Sequence, residues 1–203
     1  TVGSAGAGGA VQLGDPRIQQ LTLAQNVTIN NTGGTNAPIQ LASVDGNFTL
    51  NLTADAGSAI TLPGADIDTL TLTSGGVLTL SNTIETDTAQ DYSGVGAVVL
   101  AADTTLTAQD SDAGNARQDI TLDAGNDVTG AFGLTMNGAT VSLAAAGQGG
   151  ADLTSLTVDA TTGADLGAVT IAGAVEVTTS TGDVTVDALD AGSNNVTLTA
   201  NAG

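Results

Sequence analysis

Several residues that carry much of protein chemistry are missing: the 203-residue chain has no Cys, no His, no Trp and no Lys. Without Cys there is no disulfide, no thiolate nucleophile and no zinc–thiolate site, and the redox compartment stays open. Aromatic residues make up 1% of the chain, namely Phe48, Phe132 and Tyr92. A globular interior of irregular shape is ordinarily filled by large and small side chains together, so the lack of rings favours a narrow, uniform, aliphatic core. Cations are almost absent too: Arg17 and Arg117 stand against 21 acidic residues, a formal charge of -19. Phosphate neutralisation by Lys and Arg supplies most nucleic-acid affinity, so nucleic acid and anionic membrane surfaces are excluded as direct partners. The longest apolar stretch, residues 94–102, is far short of the roughly 18 needed to span a bilayer, so no membrane insertion is expected. No signal peptide is visible and the chain starts at Thr1, as expected of a processed or excerpted segment. That says nothing against secretion.

What is present is repetitive. Hydrophobic residues reach 41%, and there are 28 Gly and 33 Thr. Acidic chains poor in aromatics are often disordered, but such chains also lack aliphatics, and here Val, Ile, Leu and Thr recur throughout. One unit dominates, aliphatic–Thr–aliphatic, as in Leu21-Thr22-Leu23, Val27-Thr28-Ile29, Ile60-Thr61-Leu62, Leu78-Thr79-Leu80, Ile120-Thr121-Leu122 and Val196-Thr197-Leu198. Its alternation is that of a half-buried strand with aliphatics on one face and Thr on the other. The expected inward set is Leu50, Leu72, Leu122, Val158, Val186 and Leu198; the outward set is Thr49, Thr71, Thr121, Thr157, Thr185 and Thr197.

Gly, Asn, Asp and Ser clusters between these short strands supply turns. Intervals of roughly 21 to 28 residues recur between strand centres, from 22 to 49, 49 to 71, 135 to 157, 157 to 185 and 170 to 197. A period holding two or three strands is one coil of a parallel β-helix, which buries its aliphatics by stacking on the next coil. The predicted fold is therefore all-β, a parallel β-solenoid of roughly eight or nine coils, about 40 Å long at about 4.8 Å per coil. Two tandem β-sandwiches are the competing architecture. They are disfavoured because sandwich cores usually carry an aromatic pin and longer strands. Pro16, Pro38 and Pro63 sit in turn contexts and nothing divides the chain, so a single domain over residues 1–203 is expected.

The segment at residues 89–107 contains Gln90-Asp91-Tyr92, a Val/Leu strand, and Ala102-Asp103-Thr104-Thr105-Leu106-Thr107. It resembles a recurring unit of the filamentous-haemagglutinin-like adhesins and related large bacterial β-strand-repeat surface proteins. Residues 182–186 and 195–200 are similar in style. The resemblance implies an exported right-handed β-helical shaft at the bacterial cell surface, serving adhesion or surface filaments, with host or matrix glycans or proteins as partners.

Carboxylates are the only plentiful reactive groups. Asp66-Ile67-Asp68 and Asp110-Ser111-Asp112 each place two acids on one strand face, the minimum for glycosidase chemistry. A polysaccharide-active β-helix enzyme is accordingly the alternative function. A sugar site also needs aromatic platforms or cations, which the chain hardly offers, so a non-catalytic protein with solubilising acidic turns is expected. The same acids are candidate calcium ligands, since calcium takes six to eight oxygens. Asp110, Asp112 and Asn115 echo the start of a calcium loop, and Asp123 and Asp127 echo a Gly/Asp-rich β-roll turn. Neither completes a known ligand pattern, and no other cofactor is implied. Five Asn-x-Ser/Thr sequons, at Asn26, Asn30, Asn47, Asn51 and Asn195, are what a chain rich in Asn and Thr produces by chance. A Thr array that orders water for ice binding is argued against by the irregular repeat length. Neither end shows a helical or charged cap, so the expected partners include like subunits or neighbouring repeats stacked end to end.

Overall fold

Alternation at this density folds the chain into stacked coils. The computed structural model describes residues 2–3, 11–13, 20–32, 36–109 and 116–201. Among them are sixteen strands and no helix. They are β1 Val2–Gly3, β2 Val11–Leu13, β3 Gln20–Thr22, β4 Val27–Asn31, β5 Ile39–Leu41, β6 Ser43–Ala54, β7 Ile60–Leu62 and β8 Ala65–Thr73. The remainder are β9 Val77–Thr86, β10 Gln90–Asp91, β11 Ala97–Ala108, β12 Ile120–Thr129, β13 Gly133–Ala146, β14 Leu153–Thr179, β15 Val184–Asp190 and β16 Val196–Ala200. The pairings are parallel, and each joins a strand to the coil before or after it. The protein is a β-solenoid of about eight turns.

One inward column follows the whole stack: Val11, Ile39, Ile60, Leu78, Val98, Val128, Ala146, Val169, Leu189. Its successive steps are 28, 21, 18, 20, 30, 18, 23 and 20 residues. A second column joins Leu21, Val44, Ala65, Ile84, Leu106, Met136 and Val158. A third runs through Ile29, Leu52 and Leu72, then through Leu122, Leu143, Leu166 and Val186. Each aliphatic side chain thus meets a like one in the coils above and below. The interior is a single cluster of Val, Leu, Ile and Ala with Met136 and Tyr92.

Three expectations need correction. The strands are not uniformly short, because several run through a corner of the coil; β14 is 27 residues long and crosses more than one face. Of the proposed intervals, 135 to 157 is a true register, but Thr22 pairs with Asp45, Thr49 with Thr69, Asp165 with Thr185 and Thr170 with Asp190. Coil length varies where turns are lengthened, and a fixed period cannot follow that. Leu50, Leu72, Leu122 and Val158 are buried, but Val186 is only half-buried and Leu198 is 46% exposed. Val186 is on β15 and Leu198 on β16, which among the described residues pair only with β14. The outward Thr set is half-buried or exposed throughout.

Glycine is required where one backbone lies on another. Gly46 adopts φ +127° with the Leu23 carbonyl against it, and a Cβ at Gly182 would collide with the carbonyl oxygen of Thr162.

Candidate functional site

In-register stacking turns one outward position of each coil into a ladder. Thr22, Asp45, Asp66, Glu85, Thr107, Asn137 and Asp159 form such a ladder along successive coils. Its acidic part, Asp45–Asp66–Glu85, puts three carboxylates on consecutive rungs about 4.8 Å apart at the backbone. Beside it lies a groove of about 540 Å³, lined by Ser43, Gly64, Asp66, Asn82 and Glu85 among others. The groove follows from the local turn: Asn82 takes a left-handed φ of 59° and its Nδ2 donates to Pro63 O at 2.7 Å, fixing one corner against the next. Partial burial raises the Glu85 carboxyl above its ordinary range, and the charges of Asp66 and Asp87 push it the same way. Glu85 beside Asp66 is therefore a pair of acids that differ in environment.

Sequence reasoning paired Asp66 with Asp68. Both lie on β8, Asp66 exposed and Asp68 half-buried, but the rung neighbour of Asp66 is Glu85. Asp45 and Glu85 went unrecognised, and the spacing from 45 to 66 to 85 was the signal available. The ladder ends differently. Arg117 closes on Asp159, with Nη2 2.7 Å from Oδ2 and Nη1 donating to the Asp159 carbonyl at 2.9 Å. The hydrogen bond to Asp159 raises the Arg117 pKa further.

Of the candidate calcium ligands, Asp110, Asp112 and Asn115 lie outside the described residues. In sequence they fall between β11 and β12. Asp123 is on strand β12. Asp127, on the same strand, uses its carboxylate as a turn cap: Oδ1 accepts from Gln148 N–H at 3.1 Å and Oδ2 from Gly149 N–H at 2.6 Å. Among the described residues no three acidic side chains are grouped so as to hold a metal ion.

Two further features have a structural origin. In the Gln-x-Tyr segment both side chains point inward: Tyr92 Oη donates to Gln90 Oε1 at 2.9 Å, while Gln90 Nε2 donates to Ile84 O and Thr107 O at 3.0 and 2.8 Å. That sequence signature is a buried corner. On the outer face of β4, β6 and β8, the rows Asn26/Thr28/Asn30, Thr49/Asn51/Thr53 and Thr69/Thr71/Thr73 make an uncharged array. Four of the five sequons, Asn26, Asn30, Asn47 and Asn51, fall on or beside it. Irregular repeat length does not prevent such an array. It spans three coils and stops where the next coil turns at residues 92–96. Comparison with protein families, with curated proteins and with solved structures gives no match.

Proposed function

We propose that the protein is a structural or adhesive segment of a secreted bacterial surface protein or extracellular filament, a non-catalytic shaft of the filamentous-haemagglutinin-like kind. Its setting is extracellular, at the bacterial cell surface, and its partners are like coils and host or matrix glycans or proteins. What supports this most is the unbroken nine-level aliphatic column beneath outer faces of Thr, Asn and Asp. Such a body resists bending and offers long, solvated, repetitive surfaces, which suits work by shape rather than turnover.

The Asp66–Glu85 pair favours a second reading, a polysaccharide-active enzyme. The backbone rung spacing of about 4.8 Å is near the roughly 5–5.5 Å carboxyl separation of retaining glycosidases, and an acid raised above its ordinary range, as Glu85 is, suits the proton-donating half of that chemistry. Against it, the groove is lined by no aromatic side chain and no cation. One panel of polysaccharides and matrix proteins separates the two, scored for both binding and release of reducing ends. The shaft predicts binding, without release, that survives Asp66→Asn with Glu85→Gln. Release abolished by that double variant would install the enzyme instead.

A further inference from the structure

The faces of the shaft differ in charge. One carries the ladder with Asp45, Asp66, Glu85 and Asp159; a second carries Asp91 and Asp165, in one column with Thr121 and Ser142. The third lies over the inward column Ile60, Leu78, Val98, Val128, Ala146 and Val169. Its middle outward column begins Thr61, Thr79, Val99 and Thr129, all half-buried. On one side of it Val77 stacks on Ala97, and Ala145 on Ala168; on the other stand the exposed Ala101 and Ala131. Among the described residues Val77 is the one exposed large hydrophobic outside β16, at 39%. Levels 59–63, 77–81, 97–101, 127–131, 145–149 and 168–172 of this face hold a single charged residue, Asp127. Its carboxylate is already taken up by the N–H groups of Gln148 and Gly149. Every one of these levels has a paired coil on each side, so the face belongs to the body of the stack.

We infer that two copies of this chain pack against each other through this face, sheet on sheet, with the shafts side by side. Charge selects the partner. A cationic partner would choose one of the acidic faces, whereas a second chain of -19 can approach closely only where acids are absent. Methyl groups of Val, Ala and Thr gain by leaving water, and apolar patches of this extent on a soluble surface mark contacts. The small side chains let two flat sheets come to roughly the 10 Å of stacked sheets. Six levels at about 4.8 Å and five residues at about 3.3 Å give on the order of 500 Å² a copy, about 1,000 Å² for the pair. That is the low end for a specific interface, so the pair is weak and depends on concentration. One patch meeting itself is closed at two copies. Repulsion between the remaining acids persists at longer range, and added salt screens it. None of this depends on whether the shaft adheres or hydrolyses.

Sedimentation of the 203-residue chain should give a monomer–dimer equilibrium that tightens at least several-fold from low to moderate salt. Val99→Asp and, separately, Val77→Asp should each weaken it by about tenfold or more, because each buries a charge in the contact. Val77→Asp should keep the circular dichroism spectrum and the melting temperature of the dilute chain, since Val77 is already exposed. Thr71→Asp, the same added charge at an exposed position of the Asn and Thr rows, should leave the equilibrium as it is. The absence of native Cys allows clean spin labelling at the exposed Ala131→Cys and, separately, Ala89→Cys. Ala89 lies between β9 and β10, at the corner where the other two faces meet. In the paired shafts the Ala131 labels lie within about 25 Å of each other and the Ala89 labels roughly 40 Å or more apart, from the strand and sheet spacings. A monomer at every concentration and salt, a dimer indifferent to both Asp variants, or Ala89 labels closer together than Ala131 labels would each overturn the arrangement. So would a chain that stays monomeric and adsorbs to neutral lipid vesicles in a Val77-dependent way, since the face would then serve a different partner.

Discussion

Tyr92 is fully enclosed in a core otherwise built of aliphatic side chains, and its hydroxyl is satisfied by Gln90, whose amide in turn holds two carbonyls of the coil wall. Removing the hydroxyl strands the Gln90 oxygen in a dry interior, so Tyr92→Phe should cost about 1–3 kcal/mol despite the small change in volume. Burial also lifts the Tyr92 pKa, so the folded state holds the phenol neutral. The stability this group contributes is full below its unfolded value of about 10 and is lost as pH rises beyond it. Alkaline denaturation should therefore begin later in the Phe variant, and equal alkaline limbs would contradict the enclosed geometry. Glu85 is the opposite case, a surface acid made uncomfortable by burial and by Asp66 and Asp87. With its pKa raised in the folded state, its contribution is present below the ordinary carboxylate range and lost as pH climbs through the raised value. Glu85→Gln should raise the melting temperature at pH 7 by an amount worth less than about 1 kcal/mol, given its exposure, and the gain should vanish at pH 3. A carboxyl titration by NMR that puts Glu85 at or below the ordinary range would remove the basis for that gain.

Strands and turns show where the chain could be read directly and where it could not. The aliphatic–Thr–aliphatic triplets were legible because inward and outward assignment within a strand depends only on the residues beside it. Rung partners depend on how many residues each turn spends, and turn lengths vary between coils. That is why Asp66 was matched to Asp68 two residues away rather than to Glu85 on the next coil. It is also why Val186 and Leu198, with the same local pattern as Leu122, were placed in the core. Asp127 looked like a metal ligand because Asp next to Gly and Asn is common to both calcium turns and capped turns. Its carboxylate accepts two backbone N–H groups of the turn after β13. Asp127→Ala should destabilise the protein by about 1–3 kcal/mol, and Asp127→Asn, which keeps one acceptor, by less. Thermal melts with millimolar calcium or magnesium at equal ionic strength add a check, since simple screening raises both curves alike. A calcium-specific rise lost in Asp127→Ala would make Asp127 a ligand as well as a cap.

At the scale of the whole shaft, each coil is held almost entirely by the two coils beside it, so stability is a sum of neighbour contacts along one dimension. Interior strands are paired on both sides, while among the described residues β15 and β16 pair only with β14, and Val196 and Leu198 are exposed. An interior truncation opens a cavity that the rigid stack cannot close. Leu80→Ala should therefore cost about 2–5 kcal/mol. Leu198→Ala, at a site that water already reaches, should cost less than about 0.5 kcal/mol. The same asymmetry should appear as a gradient in native-state hydrogen exchange. Amides of β13 and the middle of β14, paired on both sides, should exchange only on global unfolding. Those of β15 and β16 should exchange through opening of the terminal coil alone, at much lower free energy. Uniform protection from Val27 to Ala200 at low concentration would mean that the coils unfold as one unit, and the neighbour-by-neighbour account of this solenoid would fail.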